Sequence, residues 1–427
     1  MLTSVVAAFR VPDLKKRILF LFAMFAVYVI GLHVPLPMSG EAMEKLKNAG
    51  GLFDLLNAFT GGAFKKFTIF AMGITPYINA SIIMQLLTMA VPQLEQLAKE
   101  GEPGQKKIRL WTRWLTGILA LFQAITMTVW LSSPGVGVHF DPYQRVQAVI
   151  TLTAGTAFLM WMGEQITDKG IGNGVSLIIF AGIVASLPSQ LVQVWLLLRA
   201  GSIGIFNVFL LVSAFVLTVM AIVAVTQAQR KIPIQHVKRV VGNKVYGGQS
   251  SFLPLKINSA GVIPIIFAIS LQYFPQTIAG FLPKGRWGDM AQSVTKIFTP
   301  GPDGSIIGTL IYAGLVIFFT YFYTAVTFNV PEVAENLKKW GSFIPGIRPG
   351  KPTMEYLDRV MTRITLAGAM FLAIIALAQY YVPTWTGVES FSLLGGTSLL
   401  IVVGVALETM QAIESQLLMR HYEGFIK

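Results

Sequence analysis

The chain contains no cysteine, which excludes disulfides and thiolate metal sites while leaving the redox compartment open. Its four histidines, His33, His139, His236 and His421, are scattered, with no pair at metal-ligand spacing. No Gly-rich phosphate loop and no HExxH motif occurs, so neither nucleotide hydrolysis nor zinc proteolysis has its parts. Charge is scarce too. Only 12% of residues are charged against 54% hydrophobic, with a mean hydropathy of +0.64. No water-soluble fold of 427 residues is a serious competitor at that composition.

What charge there is has been sorted. All 33 Lys and Arg lie outside ten apolar stretches: Ile18–Leu36, Thr68–Val91, Trp114–Leu131, Val146–Gly163, Val175–Leu198, Ile203–Thr226, Ile257–Ile278, Ile306–Phe328, Ile364–Val382 and Thr397–Ile413. Most approach the ~20 residues that carry a helix across a ~30 Å hydrocarbon core. With the N-terminus in the cytoplasm, cytoplasmic segments hold 24 basic residues and outer segments 9. This asymmetry predicts an all-α, multi-pass membrane protein with both termini cytoplasmic. It also accounts for most of the net charge of +13 without a nucleic-acid partner. The first stretch follows Arg10, Lys15, Lys16 and Arg17 as a signal peptide would. It is longer than a typical h-region and lacks a small-residue cleavage site, so a retained span is expected.

Ten spans divide into five and five near Ala200–Gly204, giving an N-terminal half, 1–200, and a C-terminal half, 201–427. An odd number of spans per half inverts one half relative to the other. The second span of each half carries the same local pattern, Gly73-Ile74-Thr75-Pro76-Tyr77-Ile78 and Gly261-Val262-Ile263-Pro264-Ile265-Ile266. Gly/Pro-interrupted spans at matching places in inverted halves mark where a substrate meets the protein. Chance recurrence is the alternative, since Gly and Pro are frequent in membrane helices. Between the first two spans, Gly50–Lys66 places Leu52, Phe53, Leu55, Leu56 and Phe59 at helical spacing between glycine pairs. The run is too short to cross a bilayer. It lies on the membrane surface, the placement these residues slightly favour, or dips into a protein-lined cavity. Two long cytoplasmic loops, 227–256 and 330–363, hold six basic residues each. In the first, Gly242-Asn243 ahead of Lys244-Val245-Tyr246 suggests a hairpin. The second contains the turn-forming run Pro345-Gly346-Ile347-Arg348-Pro349-Gly350.

Coupled transporters place ionisable groups inside the membrane. Of 20 acidic residues only Glu408 sits well inside a stretch, near a cytoplasmic end. A secondary transporter of a small solute remains the alternative, supported by ten spans and broken helices, and an intramembrane enzyme is more distant. The chain reads as a passive path with no catalysis of its own and no call for a cofactor.

Five segments carry a resemblance to a known family: Gly73–Leu87 (GITPYINASIIMQLL), Phe158–Ala185 (FLMWMGEQITDKGIGNGVSLIIFAGIVA), Leu253–Pro264 (LPLKINSAGVIP), Phe343–Thr353 (FIPGIRPGKPT) and Gly395–Glu408 (GGTSLLIVVGVALE). In this order, over essentially the whole chain, they resemble the SecY family of protein-conducting channels of the bacterial cytoplasmic membrane. The resemblance implies two inverted five-helix halves around a central hourglass pore. It places the constriction on Ile74, Ile78, Val175, Ile179, Ile266 and Ile401. An aliphatic ring is suited to gating by dewetting and has no chemical preference among unfolded polypeptides. Residues 50–66 correspond to the family's plug, which reverses the surface-helix preference. A lateral gate through which signal sequences and membrane helices reach lipid corresponds to the two GxxP spans. Its polar cluster matches Gln85, Gln123 and Asn258, which are expected to bond one another when the gate is shut. The basic loops correspond to the docking platform for the SecA motor and the ribosome, with Arg348, Lys238, Arg239 and Lys244 as contact residues. Where the family often shows two adjacent basic residues at the hairpin tip, this chain has Asn243-Lys244. Small membrane subunits, SecE and SecG, are further implied partners, and preproteins the implied clients.

Overall fold

A computed structural model describes residues 9, 11–36, 62–63, 66–132, 141–236, 239–241, 244–246, 250–269, 271–272, 295, 297–302, 304–388 and 396–423. Its helices are α1 (Pro12–Gly31), α2 (Thr75–Ala90), α3 (Pro92–Lys99), α4 (Glu102–Leu131), α5 (Pro142–Lys169), α6 (Gly174–Arg199) and α7 (Ile205–Gln227), followed by α8 (Ile306–Thr327), α9 (Val330–Lys339), α10 (Lys351–Thr386) and α11 (Gly396–Glu423). Between α7 and α8 lie strands β1 (Gln229–His236), β2 (Arg239–Val241), β3 (Lys244–Tyr246) and β4 (Ser250–Lys256), and β5 (Ser342–Phe343) precedes α10. Six described helices are long and apolar enough to cross a membrane, or seven if α2 and α3, bent by 100° at Val91, form one span. Helix occupies part or all of each of the ten apolar stretches, the seventh through residues 263–269 and 271–272. The ten-span reading is consistent with this.

Proline sets many of the starts. Pro12, Pro76, Pro92, Pro142, Pro331 and Pro352 each occupy one of the first two helical positions, where a missing N–H leaves no helical bond unmade. One stretch departs from expectation. Thr68–Val91 becomes helical only at Thr75, because Gly73 adopts a left-handed φ of 57° that a right-handed helix cannot contain. The preceding residues are buried turns: Phe67, Ala71 and Met72 pack with Leu36, Ala120, Ala124 and Leu152.

Contacts divide the chain into two units, Met1–Ser202 with Val405–Lys427, and Ile203–Glu389 with Leu394–Gly404. In the first, α5 touches α1, α4 and α6. It buries Ala148, Leu152, Gly155, Leu159, Met162 and Ile166, a stripe alternating by four and three residues. That is the period of a helix packed along its length. In the second, α10 touches α7, α8 and α9 and buries Leu357, Met361, Ile364, Gly368, Leu372, Ile375 and Gln379 on the same rule. Of the apolar window, 56% is buried in α10 and 11% in α7, so α10 is the unit's centre and α7 a lipid-type outer helix. Each unit is therefore assembled around one helix.

Candidate functional site

The six expected neck residues obey one local rule. Ile74 and Ile78 stand one and five residues after Gly73, Val175 and Ile179 one and five after Gly174, Ile266 five after Gly261 and Ile401 five after Gly396. Positions one and five share a helix face; Gly174 and Gly396 open helices, and Gly73 and Gly261 each stand two residues before one. Within the chain Ile74, Ile179 and Ile401 are buried, while Ile78, Val175 and Ile266 are half-buried.

The two GxxP turns are built alike. Gly73 and Gly261 both have left-handed φ, 57° and 65°. The first helical bonds follow in register, Ile78 N–H to Ile74 O at 3.1 Å and Ile266 N–H to Val262 O at 3.4 Å. Both glycine carbonyls accept a side-chain bond, Gly73 O from the buried Thr156 hydroxyl at 3.4 Å and Gly261 O from the Asn258 amide at 3.2 Å. Four residues before each glycine is an isoleucine whose carbonyl oxygen lies against a glycine of the central helix, Ile69 against Gly155 and Ile257 against Gly368. In the first unit Phe70 also anchors the turn, stacked between Tyr28 and Phe158 at centroid distances of 5.8 and 6.0 Å. The α6 start is fixed by Asn173, whose side chain accepts from Val175 N at 3.0 Å, and by the Gly174 N–H donating to the Thr167 hydroxyl at 2.9 Å.

The gate amides do something other than bond to one another within a unit. Gln85 is exposed and Gln123 half-buried, and no hydrogen bond joins them among the described residues. Asn258 is buried and donates to its own turn, and among the described residues its Oδ1 has no hydrogen-bond partner. The plug residues Leu52, Phe53, Leu55, Leu56 and Phe59, and Lys238 of the hairpin, lie outside the described residues.

Both long loops of the second unit fold into one small module. The sheet runs β4-β1-β5, with Ile232 opposite Leu253 on β4 and His236 opposite Ser342 on β5. Pro233 sits in the central strand before the β5 pairing begins at Gln235, where its missing N–H breaks no ladder on that side. Ile232, Ile234 and Leu255 pack on Leu337, Ile344, Leu357, Val360, Met361 and Ile364, a core of soluble-protein type over the start of α10. His236 fastens the two loops, its ring nitrogens meeting the hydroxyls of Ser342 at 2.8 Å and Ser251 at 3.2 Å. Beyond it β2 and β3 pair antiparallel, Arg239 opposite Tyr246 and Val241 opposite Lys244.

Arg348 projects from this module into solvent. Its backbone is held on all sides. Ile344 is buried before it, Ile347 closes a turn onto Ile344 O at 3.0 Å, and the buried Thr353 hydroxyl donates to Arg348 O at 2.8 Å. Gly346 and Gly350 supply φ of 80° and 102°. Among the described residues no carboxylate pairs with Arg348. By contrast, on α9 Lys339 bonds Glu335 at 2.9 Å and holds its carboxyl below the usual range. Sequence reasoning missed Gly155, Gly368, Phe70 and Thr353; a glycine inside an apolar four-three stripe was the available signal for the first two.

Comparison with known proteins supplies the frame for these sites. The family model for SecY matches residues 68–410. A protein translocase subunit SecY from Streptomyces galbus is 44% identical over 444 residues, covering 100% of both chains. Among solved structures, a protein-conducting channel superposes with TM-score 0.67 at 17% identity, covering 94% of this chain and 92% of that one. Sec61 from the canine ribosome–channel complex of the endoplasmic reticulum gives 0.64 at 16% identity, with the same coverage. The structural likenesses support the fold, and the family match and the full-length identity settle the kinship: this chain belongs to the SecY family.

Proposed function

We propose that Ile74, Ile78, Val175, Ile179, Ile266 and Ile401 form the apolar neck of an hourglass pore through which unfolded preproteins pass. The chain is a protein-conducting translocation channel of the SecY family, spanning the membrane several times. The observation carrying the neck reading is the spacing rule: all six aliphatic residues fall at one or five positions after a glycine that begins or precedes a helix. A ring of such side chains offers water no hydrogen bonds, so a narrow neck dries and seals without a chemical preference for its cargo.

In this reading residues 50–66, with Leu52, Phe53, Leu55, Leu56 and Phe59, are the plug. Gln85, Gln123 and Asn258 belong to the lateral gate that releases membrane helices into lipid. The Asn258 Oδ1, which meets no donor among the described residues, supports the gate assignment, since a buried acceptor without a donor favours a site that changes partners. The module bearing Arg348, Lys238, Arg239 and Lys244 docks SecA and the ribosome, and SecE and SecG complete the channel. Sec61, one of the structural relatives, is seen in a ribosome–channel complex. The 24-to-9 asymmetry of basic residues supports cytoplasmic termini in a bacterial cytoplasmic membrane.

The test is resting conductance. Ile78→Asn and Ile401→Asn are expected to wet the neck and produce single-channel currents in a planar bilayer without substrate. Wild-type silence from both variants removes the neck assignment.

A further inference from the structure

We propose that α5 and α10, which carry none of the six neck residues, set the bore of the neck through four glycine–carbonyl contacts; the inference rests on the neck reading above. In the first unit α5 meets both neck-bearing elements. Its Gly155 receives the carbonyl oxygen of Ile69, four residues before Gly73, and its own Gly163 carbonyl oxygen lies against Gly174. In the second unit α10 repeats the arrangement. Gly368 receives the carbonyl oxygen of Ile257, four residues before Gly261, and the Ile375 carbonyl oxygen lies against Gly396.

At each of the four glycines an added Cβ would fall inside the van der Waals envelope of that oxygen; at Gly368 it would lie 2.5 Å away. The obstacle is backbone, which cannot rotate aside as a flexible side chain can. Each contact therefore fixes how closely a neck-bearing element approaches its central helix. The neck residue follows within a few positions: Ile74 is five residues beyond Ile69, Val175 is next to Gly174, Ile266 is nine beyond Ile257, and Ile401 is five beyond Gly396. Between contact and neck residue the chain has little play. Thr156, adjacent to Gly155, holds the Gly73 carbonyl, and Thr167 bonds both the Gly163 carbonyl oxygen at 2.9 Å and the Gly174 N–H. A methyl inserted at these contacts pushes the turn outward and carries the aliphatic side chain with it. Gly155, Gly174, Gly368 and Gly396 are thus positioning residues for the neck.

The experiment compares three alanine variants of the purified channel complex in planar bilayers, beside Ile78→Asn. Gly155→Ala and Gly368→Ala are expected to raise the frequency of resting openings by about five- to a hundred-fold, the shift that overpacking conflicts of this size produce in an equilibrium. Gly104→Ala is the control. It creates the same kind of clash, against Leu97 O, but between α3 and the start of α4, where neither partner carries a neck residue. It is expected to stay silent. If all three leak alike, or none leaks while Ile78→Asn does, the positioning role is overturned and the neck stands. Silence from Ile78→Asn removes the neck and this inference with it. Should Gly155→Ala fail to accumulate, the near-isosteric Thr156→Val decides: it removes the bond to Gly73 O without adding bulk, a leak supports the proposal, and wild-type conductance overturns it.

Discussion

Replacing Arg348 by Glu tests the proposed docking platform where the structure makes the strongest statement. The side chain is exposed and unpaired among the described residues, so the substitution removes nothing from the folded chain; exposed changes of this kind fall within about 0.5 kcal/mol. The loop itself is kept by groups the variant leaves in place: buried Ile344, the Thr353 bond to the Arg348 carbonyl, and left-handed Gly346 and Gly350. All of the cost therefore appears in the bound state. A fixed backbone presents the guanidinium fork without an ordering penalty, which suits bidentate contact with a carboxylate or phosphate. Truncating one partner of such a desolvated pair costs about 2–5 kcal/mol, and reversing its charge adds repulsion, so affinity for the motor falls by roughly 30-fold to several thousand-fold. The expected variant inserts normally, has wild-type resting conductance, and fails in SecA-driven preprotein protection at limiting SecA. Lys351→Glu, at the first turn of α10, is expected to be milder. A wild-type translocation rate for Arg348→Glu at limiting motor would refute the reasoning and leave this arginine a topology charge only.

Two further outcomes are expected. Thr353→Val keeps the side-chain shape but removes the 2.8 Å bond to the Arg348 carbonyl; a loss of about 1 kcal/mol predicts roughly fivefold weaker motor binding with Arg348 itself intact, and unchanged affinity would show that the loop needs no such clamp. Because the chain has no cysteine, pairs placed singly in 74–85 and 258–269 crosslink without background; since a disulfide needs Cα atoms within about 7 Å, a pair that locks transport until reduced supports the gate, and failure of every pair rejects it.

The apolar stretches were legible because lipid imposes a length and a composition on whatever crosses it, and helix occupies part or all of each of the ten. Hydropathy describes the membrane, however, and not the helix. In α10 the 36 helical residues reach about 54 Å, far beyond a bilayer core, because Glu355, Asp358, Arg359 and Arg363 continue the same helix into the aqueous phase. The opposite error occurs at Thr68, where an apolar run is buried turn before it is helix. Burial in protein and burial in lipid leave the same composition behind. The cytoplasmic module was half legible: turn chemistry announced the hairpin and the Arg348 loop, but nothing local reveals that β1 pairs with β5, more than a hundred residues away, through His236 and Ser342.

The proposed neck illustrates a deeper limit. A passage for arbitrary polypeptide must not recognise its cargo, so its lining cannot carry a chemical motif. Isoleucine and valine are also the commonest tenants of ordinary cores and lipid faces, and by themselves Ile78 or Ile266 say nothing. What such a neck requires is position, and position is set where backbones touch. The informative residues are accordingly those that have no side chain: Gly155 and Gly368, which admit a carbonyl oxygen, and Gly73 and Gly261, whose left-handed φ starts the helix afresh. The second pair was readable, because a proline three residues on marks a helix start in sequence. The first pair shows only as glycines inside apolar four-three stripes, a signal that marks a packed face but does not name the distant carbonyl it admits. On the proposed neck reading, function is written in the glycines that place the lining, and the lining residues themselves are nearly mute.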